Sequence, residues 1–288
     1  IIDTGVDPAH PDLVNQLVPG YNTYNNNTTT SPVNGHGTWV AGAAAATINN
    51  GTGVAAVAGA AKVMPMRVVD GSGVGYWSAI ASAITYAADR GVRVANASFE
   101  NLVSSSSIMN AAAYMKSKNG LVVIAAGNSG GNPGLTPNTS VIPVSSTESN
   151  DTFSSFSSYG SYVALSAPGS SIYTTAVGGG YTQGTGTSFS SPIVAGTIAL
   201  MMSANPKLPS ADVEKLLYST AVDLGTAGRD PYFGHGRVDA AAAVKAAAAA
   251  TVTSDTQAPT VSIGSVHLVN PSKRRVLEIA GQRGQGAG

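Results

Sequence analysis

The stretch Gly-Thr-Ser-Phe-Ser-Ser-Pro at residues 186–192 runs directly into the apolar stretch Ile-Val-Ala-Gly-Thr-Ile-Ala-Leu-Met-Met at residues 193–202. A loop followed by a long apolar segment predicts a buried core helix with Ser188 in its first turn and ~16 residues after it. Gly196 and Thr197 interrupt this apolar segment, which is expected to be too short to span a membrane. Unpaired N–H groups and the positive end of the helix dipole gather at such a start, and they favour negative charge developing at a reacting serine. The alternative is that Ser188 is an ordinary N-cap, because serine is a common cap residue.

Two other junctions, at the start of a predicted helix and at the end of a predicted strand, favour a reacting serine over an N-cap. Residues 34–46, Asn-Gly-His-Gly-Thr-Trp-Val-Ala-Gly-Ala-Ala-Ala-Ala, predict a small-residue helix with His36 at its start. Residues 1–7, Ile-Ile-Asp-Thr-Gly-Val-Asp, predict a buried strand that ends with Asp3 in a glycine turn. Either residue alone would be a plain turn or cap residue. Together with Ser188, they supply the hydroxyl, imidazole and carboxylate that nucleophilic amide hydrolysis requires.

The three motifs carry a family resemblance. Asp-Thr-Gly, His-Gly-Thr and Gly-Thr-Ser, in the order Asp3, His36, Ser188, resemble the motifs and chain order of the subtilisin-like serine proteases, or subtilases. The resemblance extends from Ile1 to about Ala250. It implies a three-layer subtilisin-like fold and a serine endopeptidase that hydrolyses polypeptide substrates through an acyl-enzyme intermediate.

A fourth segment agrees with this resemblance. Residues 120–128, Gly-Leu-Val-Val-Ile-Ala-Ala-Gly-Asn, predict a buried parallel strand with Asn128 beyond its carboxyl end. The resemblance implies that Asn128 is the oxyanion-hole asparagine, partnered by the backbone N–H of Ser188. The alternative is an ordinary Asn-Ser-Gly turn.

Strands and helices alternate along the chain. This alternation predicts an α/β fold with a mostly parallel central sheet and helices on both faces. Asp3, Ser98 and Asn128 should then lie at the carboxyl edge of the sheet, where open α/β sheets place their sites. The predicted strands are residues 62–69, 92–98 and 121–126, and the predicted helices are residues 78–90, 107–118, 212–220 and 239–250, the last capped by Asp239.

The resemblance also implies a groove that binds substrate as an extended strand. Its implied residues are Gly71, Ser72 and Gly73 on one side, Ser98, Phe99 and Glu100 on the other, together with Ala125, Ala126 and Gly127. Glu100 departs from the family, which usually has glycine there. Its side chain should narrow the pocket for the residue before the scissile bond and favour Arg or Lys over large apolar residues at that subsite or the next. Alternatively, Glu100 points into solvent and changes nothing.

Residues 48–54, Ile-Asn-Asn-Gly-Thr-Gly-Val, resemble the family's calcium loop. Calcium takes six or more oxygen ligands from carboxylates, amides and carbonyls. The implied ligands of a structural calcium ion are Asp12, Ile48, Asn50, Thr52 and Val54. The family's N-terminal segment, which supplies a further ligand, is absent from the sequence, so the site is expected to be weakened or empty. The alternative is a plain turn.

Composition limits the partners of the protein. Of 288 residues, 43% are hydrophobic, which allows a sizeable core, and 10% are charged. With 15 basic and 15 acidic residues, the formal net charge is zero, which does not indicate nucleic acid or an anionic membrane. The absence of cysteine excludes disulfides, thiol catalysis and thiolate metal sites. We expect a secreted monomer.

The chain is predicted to have two parts. Residues 1–250 should form a subtilase catalytic domain that lacks its N-terminal segment. Residues 251–288 resemble a linker and the truncated remnant of an immunoglobulin-like accessory module, with disorder expected after about residue 264.

Three alternative functions are open at this point. Asp-Thr-Gly is also typical of aspartic proteases, but these need two such aspartates and the sequence has one. A protease-like binding or scaffold domain would keep the fold without activity. An esterase would use the same three groups on a different bond.

Overall fold

A seven-stranded sheet dominates the computed structural model, which describes residues 1–251. Its strands are β1 Ile2–Asp3, β2 Tyr21–Asn22, β3 Met66–Arg67, β4 Val94–Ala97, β5 Leu121–Ala125, β6 Ile142–Thr147 and β7 Leu165–Pro168. They lie in the order β2-β3-β1-β4-β5-β6-β7, and every neighbouring pair is parallel. A separate antiparallel hairpin joins β8 Ile172–Ala176 to β9 Gly180–Gly184.

Helices cover both faces of the sheet. They are α1 His36–Ala45, α2 Trp77–Asp89, α3 Ser106–Ser117, α4 Thr187–Ala204, α5 Ser210–Ser219 and α6 Ala240–Ala249, with a 3-10 turn at Leu102–Ser104. Alternate residues of β5 face opposite ways: Val122 and Ile124 pack with α2 and α3, whereas Leu121 and Val123 pack with α4, α5 and α6. Because both faces of β5 are buried, its sequence is continuously apolar instead of alternating.

The predicted α/β class, parallel sheet and helices on both faces are therefore confirmed. The strand predicted at residues 62–69 is shorter in the structure, where only Met66–Arg67 is a strand. Pro65 explains part of this difference, because it has no N–H to give to a neighbouring strand. Strands β2, β6, β7 and the hairpin were not predicted. Apart from residue 251, the proposed linker and accessory-module remnant lie outside the described residues.

Helix α4 is the central core helix. It has 18 residues, and the 16 that follow Ser188 agree with the predicted length and with the predicted core helix. Within residues 1–251 it is the helix long and apolar enough for a membrane span, but 72% of it is buried in the protein. Core helices of globular proteins meet the same criterion.

Two glycines bring α1 and its neighbours close together. A Cβ added to Gly196 in α4 would lie 2.9 Å from the carbonyl oxygen of Ala44 in α1. A Cβ added to Gly42 in α1 would overlap the hydroxyls of Thr174 and Thr175 in β8. The relative position of α1 and α4 is therefore set by direct backbone packing.

Candidate active site

The candidate residues lie near the point in the sheet where the order of the strands reverses. The strand order reverses between β1 and β4, which pair through Ile2 and Ala97. Asp3 ends β1, Ser98 follows β4, and Asn128 follows β5 after a short turn. Ligand sites of open α/β sheets lie at such reversal points, outside the carboxyl ends of the strands. The structure brings these residues to one edge, as the sequence predicted.

A buried carboxylate holds the imidazole at the start of α1. Asp3 is 1% exposed, and its Oδ1 accepts hydrogen bonds from His36 Nδ1 and from the N–H of Thr4, both at 2.8 Å. The bond to Asp3 places the proton on Nδ1, which leaves Nε2 as a free base. Burial lowers the pKa of His36, but the charge of Asp3 and its hydrogen bond outweigh burial and raise that pKa above its usual value.

Ser188 is the second residue of α4. The N-cap of this helix is Gly186, and no side chain caps the helix there, so the alternative of Ser188 as an ordinary N-cap is wrong. The hydroxyl of Ser98 donates to the carbonyl oxygen of Ser188 at 3.1 Å. This bond joins the segment after β4 to the start of α4.

The side chain of Asn128 is held in one orientation by Thr187. Its Oδ1 accepts hydrogen bonds from the N–H of Thr187 at 2.8 Å and from the Thr187 hydroxyl at 3.0 Å. That hydroxyl also accepts from the N–H of Gly127 at 3.1 Å. Since Oδ1 is engaged, the Nδ2 group is available to donate to a ligand. Asn128 therefore reaches beyond a local Asn-Ser-Gly turn.

Thr187 is a residue whose function the sequence reasoning missed, although it stands inside the quoted motif. Gly186, just before it, has φ +149°, a conformation that L side chains rarely adopt. A Cβ there would lie 3.5 Å from Asn128 Nδ2. Glycine thus keeps the space beside the amide open.

One wall of the predicted groove is the loop at residues 71–73. Asp70 Oδ1 accepts from the hydroxyl and the N–H of Ser72 and from the N–H of Val74, at 2.7, 2.8 and 3.1 Å. The Ser72 hydroxyl and the Val74 N–H lower the pKa of Asp70 to about 2. Asp70 was also missed, although an aspartate before Gly-Ser-Gly is a turn signal.

The opposite wall consists of Ser98, Phe99 and Glu100. A Cβ added to Gly75, two residues beyond the first wall, would lie 2.7 Å from the Phe99 ring, so glycine leaves room for this ring. Glu100 Oε1 accepts a hydrogen bond from the N–H of Asn128 at 2.8 Å. This bond connects the second wall to the segment containing the buried residues Ala125 and Ala126 and the turn residue Gly127.

The candidate calcium loop folds around Asp12. The carboxylate is fully buried; its Oδ1 accepts from Asn50 Nδ2 at 2.5 Å and its Oδ2 from the N–H of Val54 at 3.0 Å. Thr47 and residues 49–55 of this loop line a cleft. Residues 1–251 contain no group of three or more His, Cys, Asp or Glu that could hold a metal ion. Any ion here would depend on amide and carbonyl oxygens.

Comparison with known proteins agrees with this arrangement of fold and site. The sequence model of the Subtilase family matches residues 1–236. Thermitase of Thermoactinomyces vulgaris is 41% identical over 247 residues, which cover 85% of this chain and 87% of thermitase. Subtilisin DY of Bacillus licheniformis is 38% identical, with 85% of this chain and 89% of that protein covered.

A solved structure of proteases from Pseudoalteromonas arctica superimposes with a TM-score of 0.76 at 31% identity. The alignment covers 85% of this chain and 88% of that chain. The fold and the matches define a serine protease of the subtilisin-like class, and the predicted family is confirmed. The chain belongs to the Subtilase family.

Proposed function

We propose that the chain is a serine endopeptidase in which Asp3, His36 and Ser188 form the catalytic triad and Asn128 assists the oxyanion hole. The observation that carries this proposal is the 2.8 Å hydrogen bond from His36 Nδ1 to buried Asp3, at the sheet edge where Ser188 lies in the first turn of α4. Because the proton is on Nδ1, Nε2 is able to accept a proton from a serine hydroxyl.

The first half of the reaction makes an acyl-enzyme. Ser188 Oγ attacks the carbonyl carbon of the scissile bond while His36 Nε2 takes the hydroxyl proton. The negative charge moves to the carbonyl oxygen, where Asn128 Nδ2 and the N–H of Ser188 donate hydrogen bonds. The C–N bond then breaks, and His36 gives its proton to the leaving amine.

The second half releases the new carboxyl end. A water molecule loses a proton to His36 Nε2 and attacks the ester carbonyl carbon. The same two donors hold the second oxyanion, and the bond to Ser188 Oγ breaks as His36 returns the proton to that oxygen. Asp3 stays ionised throughout and stabilises the imidazolium form of His36.

Polypeptide substrates would bind as an extended strand between the loop at residues 71–73 and the segment at residues 98–100, with residues 125–127 completing the pocket. Glycines in the first wall allow the substrate backbone to approach closely. We propose that the protein acts outside the cell as a monomer, without nucleic-acid or membrane partners. Fractionation of producing cells with an antibody against the chain tests its location, and sedimentation tests its oligomeric state.

Calcium is proposed as a structural ion. By resemblance its ligands would be the carboxylate of Asp12, the amide oxygen of Asn50 and the carbonyls of Ile48, Thr52 and Val54, all of them the oxygen donors that calcium prefers. Binding would have to replace the hydrogen bond that Asn50 Nδ2 now donates to Asp12 Oδ1. The ion would stabilise the native loop by mass action. Added calcium should raise the melting temperature, and Asp12→Asn should remove that rise whereas Asp212→Asn should keep it. Identical melting curves with chelator and with millimolar calcium would refute the site.

Covalent labelling tests the proposed mechanism. A serine-directed phosphonate should label the wild type and Ser190→Ala, a control in the same helical turn, but not Ser188→Ala. Amide and ester substrates should then be compared, because an esterase would turn over only the ester. Labelling or proteolysis that survives in Ser188→Ala would overturn the proposed triad.

A further inference from the structure

We propose that the carboxylate of Glu100 makes the pocket beside the scissile bond selective for a substrate residue with a positively charged side chain, Lys or Arg. This inference rests on the proposed function, and it assigns a substrate class to the same site. It is carried by the hydrogen bond that Glu100 makes across the pocket.

The pocket lies between the two segments that flank the start of α4. Residues 98–100 extend β4 and residues 126–128 extend β5, and these strands are neighbours, with Ala97 paired to Ile124. Ser98 bonds to the carbonyl of Ser188, and Asn128 bonds to Thr187. A carbonyl attacked by Ser188, with its oxygen on Asn128, therefore carries its own side chain into the space between these segments.

Glu100 spans that space. Its Oε1 accepts from the N–H of Asn128 at 2.8 Å, and its carboxyl carbon lies 3.9 Å from the position of a Cβ added to Gly127. Only one carboxylate oxygen is used in this bond, so the other is available to a substrate. Glu100 takes part in none of the three ion pairs found among residues 1–251. No protein cation in the described chain neutralises it.

Tyr162 is the neighbouring titratable group at this turn. Tyr162 lies beneath the same turn and donates its hydroxyl proton to the carbonyl of Ala126 at 2.7 Å. Burial, with a further contribution from the charge of Glu100, raises the pKa of Tyr162 to about 12. Tyr162 is therefore neutral under ordinary conditions, and the carboxylate is the charged group that a substrate side chain meets.

A substrate cation would gain from this charge both on binding and during the reaction. On binding, the ammonium or guanidinium group would form a charge-assisted hydrogen bond with the free carboxylate oxygen. During the reaction, Asn128 carries both the N–H that binds Glu100 and the amide that binds the oxyanion. Two negative charges then lie around one residue, and a cation beside Glu100 reduces their repulsion. An apolar side chain would remove water from the carboxylate without supplying a hydrogen bond in its place, which costs free energy.

Glu100→Gln separates charge from structure. Glutamine keeps an oxygen that accepts from the Asn128 N–H and keeps the length of the side chain, but it removes the charge. Asp212→Asn, in the exposed first turn of α5, makes the same change in net charge away from the pocket. If Glu100 only holds the turn in place, Glu100→Gln should behave like the wild type.

The test uses peptides that differ only in the residue before the scissile bond, namely Lys, Arg, norleucine, Leu and Phe. Wild type and Asp212→Asn should have a kcat/KM about 10–100-fold higher for Lys and Arg than for norleucine. Glu100→Gln should lose most of that ratio, with kcat for the basic peptides falling as well as KM rising. A small phosphonate without a side chain should label the wild type and Asp212→Asn equally, and it should still label Glu100→Gln.

The outcomes distinguish the inference from the function on which it depends. A labelled wild type whose ratio of basic to apolar turnover is unchanged in Glu100→Gln would overturn the role of Glu100 alone. A wild type that is neither labelled nor active on any peptide would overturn the proposed triad and this inference together.

Discussion

Helices α4 and α6 pack against the same side of the sheet, but they begin in different ways. The start of α6 is capped: Asp239 Oδ1 accepts from the N–H of Ala242 at 2.9 Å. The start of α4 follows a glycine that has no side chain to offer. There, the N–H of Thr187 binds Asn128 instead, and in the described part of the chain the N–H of Ser188 has no acceptor.

Under the proposed function, this difference separates a structural helix start from a reactive one. A side-chain cap stabilises a helix by about 1 kcal/mol, and α4 lacks this contribution because Gly186 has no side chain. In return, its first turn has an N–H free to meet negative charge and an asparagine amide fixed beside it. Changes near the start of α4 should therefore alter turnover, whereas changes at the start of α6 should alter stability.

The largest effect is expected at Asp3, which supports the base that serves α4. Asp3→Asn should lower kcat by about 10⁴-fold, because an amide favours the wrong tautomer of His36. In the wild type, activity should fall as pH drops below the raised pKa of His36, since the protonated ring cannot act as a base. Removing the charge of Asp3 should move this acidic limb to lower pH. If the acidic limb of the pH–rate profile lies at the same pH in Asp3→Asn as in the wild type, the contact between Asp3 and His36 is contradicted.

The second-largest effect on turnover is expected from loss of the amide of Asn128. Asn128→Ala should lower kcat by about 10²–10³-fold with little change in KM, because its donor acts on charge that exists only in the transition state. Steady-state kinetics and thermal melting of the same preparation should be compared. If the melting temperature falls while kcat does not, Asn128 is structural and the contrast between the two helix starts is lost.

Thr187 should have a smaller effect, because it acts through Asn128. Thr187→Val removes the hydroxyl that donates to Asn128 Oδ1, and kcat should fall about tenfold, the equivalent of one lost hydrogen bond. Thr187→Ser keeps the hydroxyl and should retain most of the turnover. Equal losses in both variants would mean that packing of the methyl group, not orientation of the amide, is what matters.

The smallest effect is expected at the start of α6. Asp239→Ala should lower the free energy of unfolding by about 1 kcal/mol and leave kcat unchanged. Asp239→Asn, which keeps a capping oxygen, should lie close to the wild type in denaturant unfolding. A loss of turnover in Asp239→Ala without a loss of stability would show that α6 is coupled to the site.

Local signals explain which parts of this arrangement could be predicted. Strand β5 and helix α4 are long apolar runs bounded by glycine, and Asp239 stands before an alanine-rich helix, so their positions could be inferred from the sequence. Strands β1 and β3 were predicted, but each has only two residues, so the length of β3 was overestimated. Strand β2, also of two residues, leaves almost no periodicity to detect. The pairing of these three strands is set by neighbouring strands that are distant in the chain.

The site residues also divide into those that a local motif could reveal and those whose contacts join distant segments. Asp3, His36, Ser188 and Asn128 could be proposed because each stands in a short motif at a strand or helix end. The contacts of Thr187 with Asn128 and of Glu100 with the Asn128 N–H join segments 59 and 28 residues apart. No local pattern encodes such pairs, because they depend on how neighbouring strand ends meet.

The close packing of α4 on α1 bears on attempts to make this enzyme more heat-resistant. Replacing a helix glycine with alanine is a common stabilising substitution, with an expected gain of up to ~1 kcal/mol. At Gly196 the new methyl group would lie only 2.9 Å from the Ala44 carbonyl oxygen, so one helix would have to move. His36 is on one of these helices and Ser188 is on the other. A substitution chosen for thermal tolerance would therefore change the spacing between the proposed base and the proposed nucleophile, although it lies about two helical turns away from the serine.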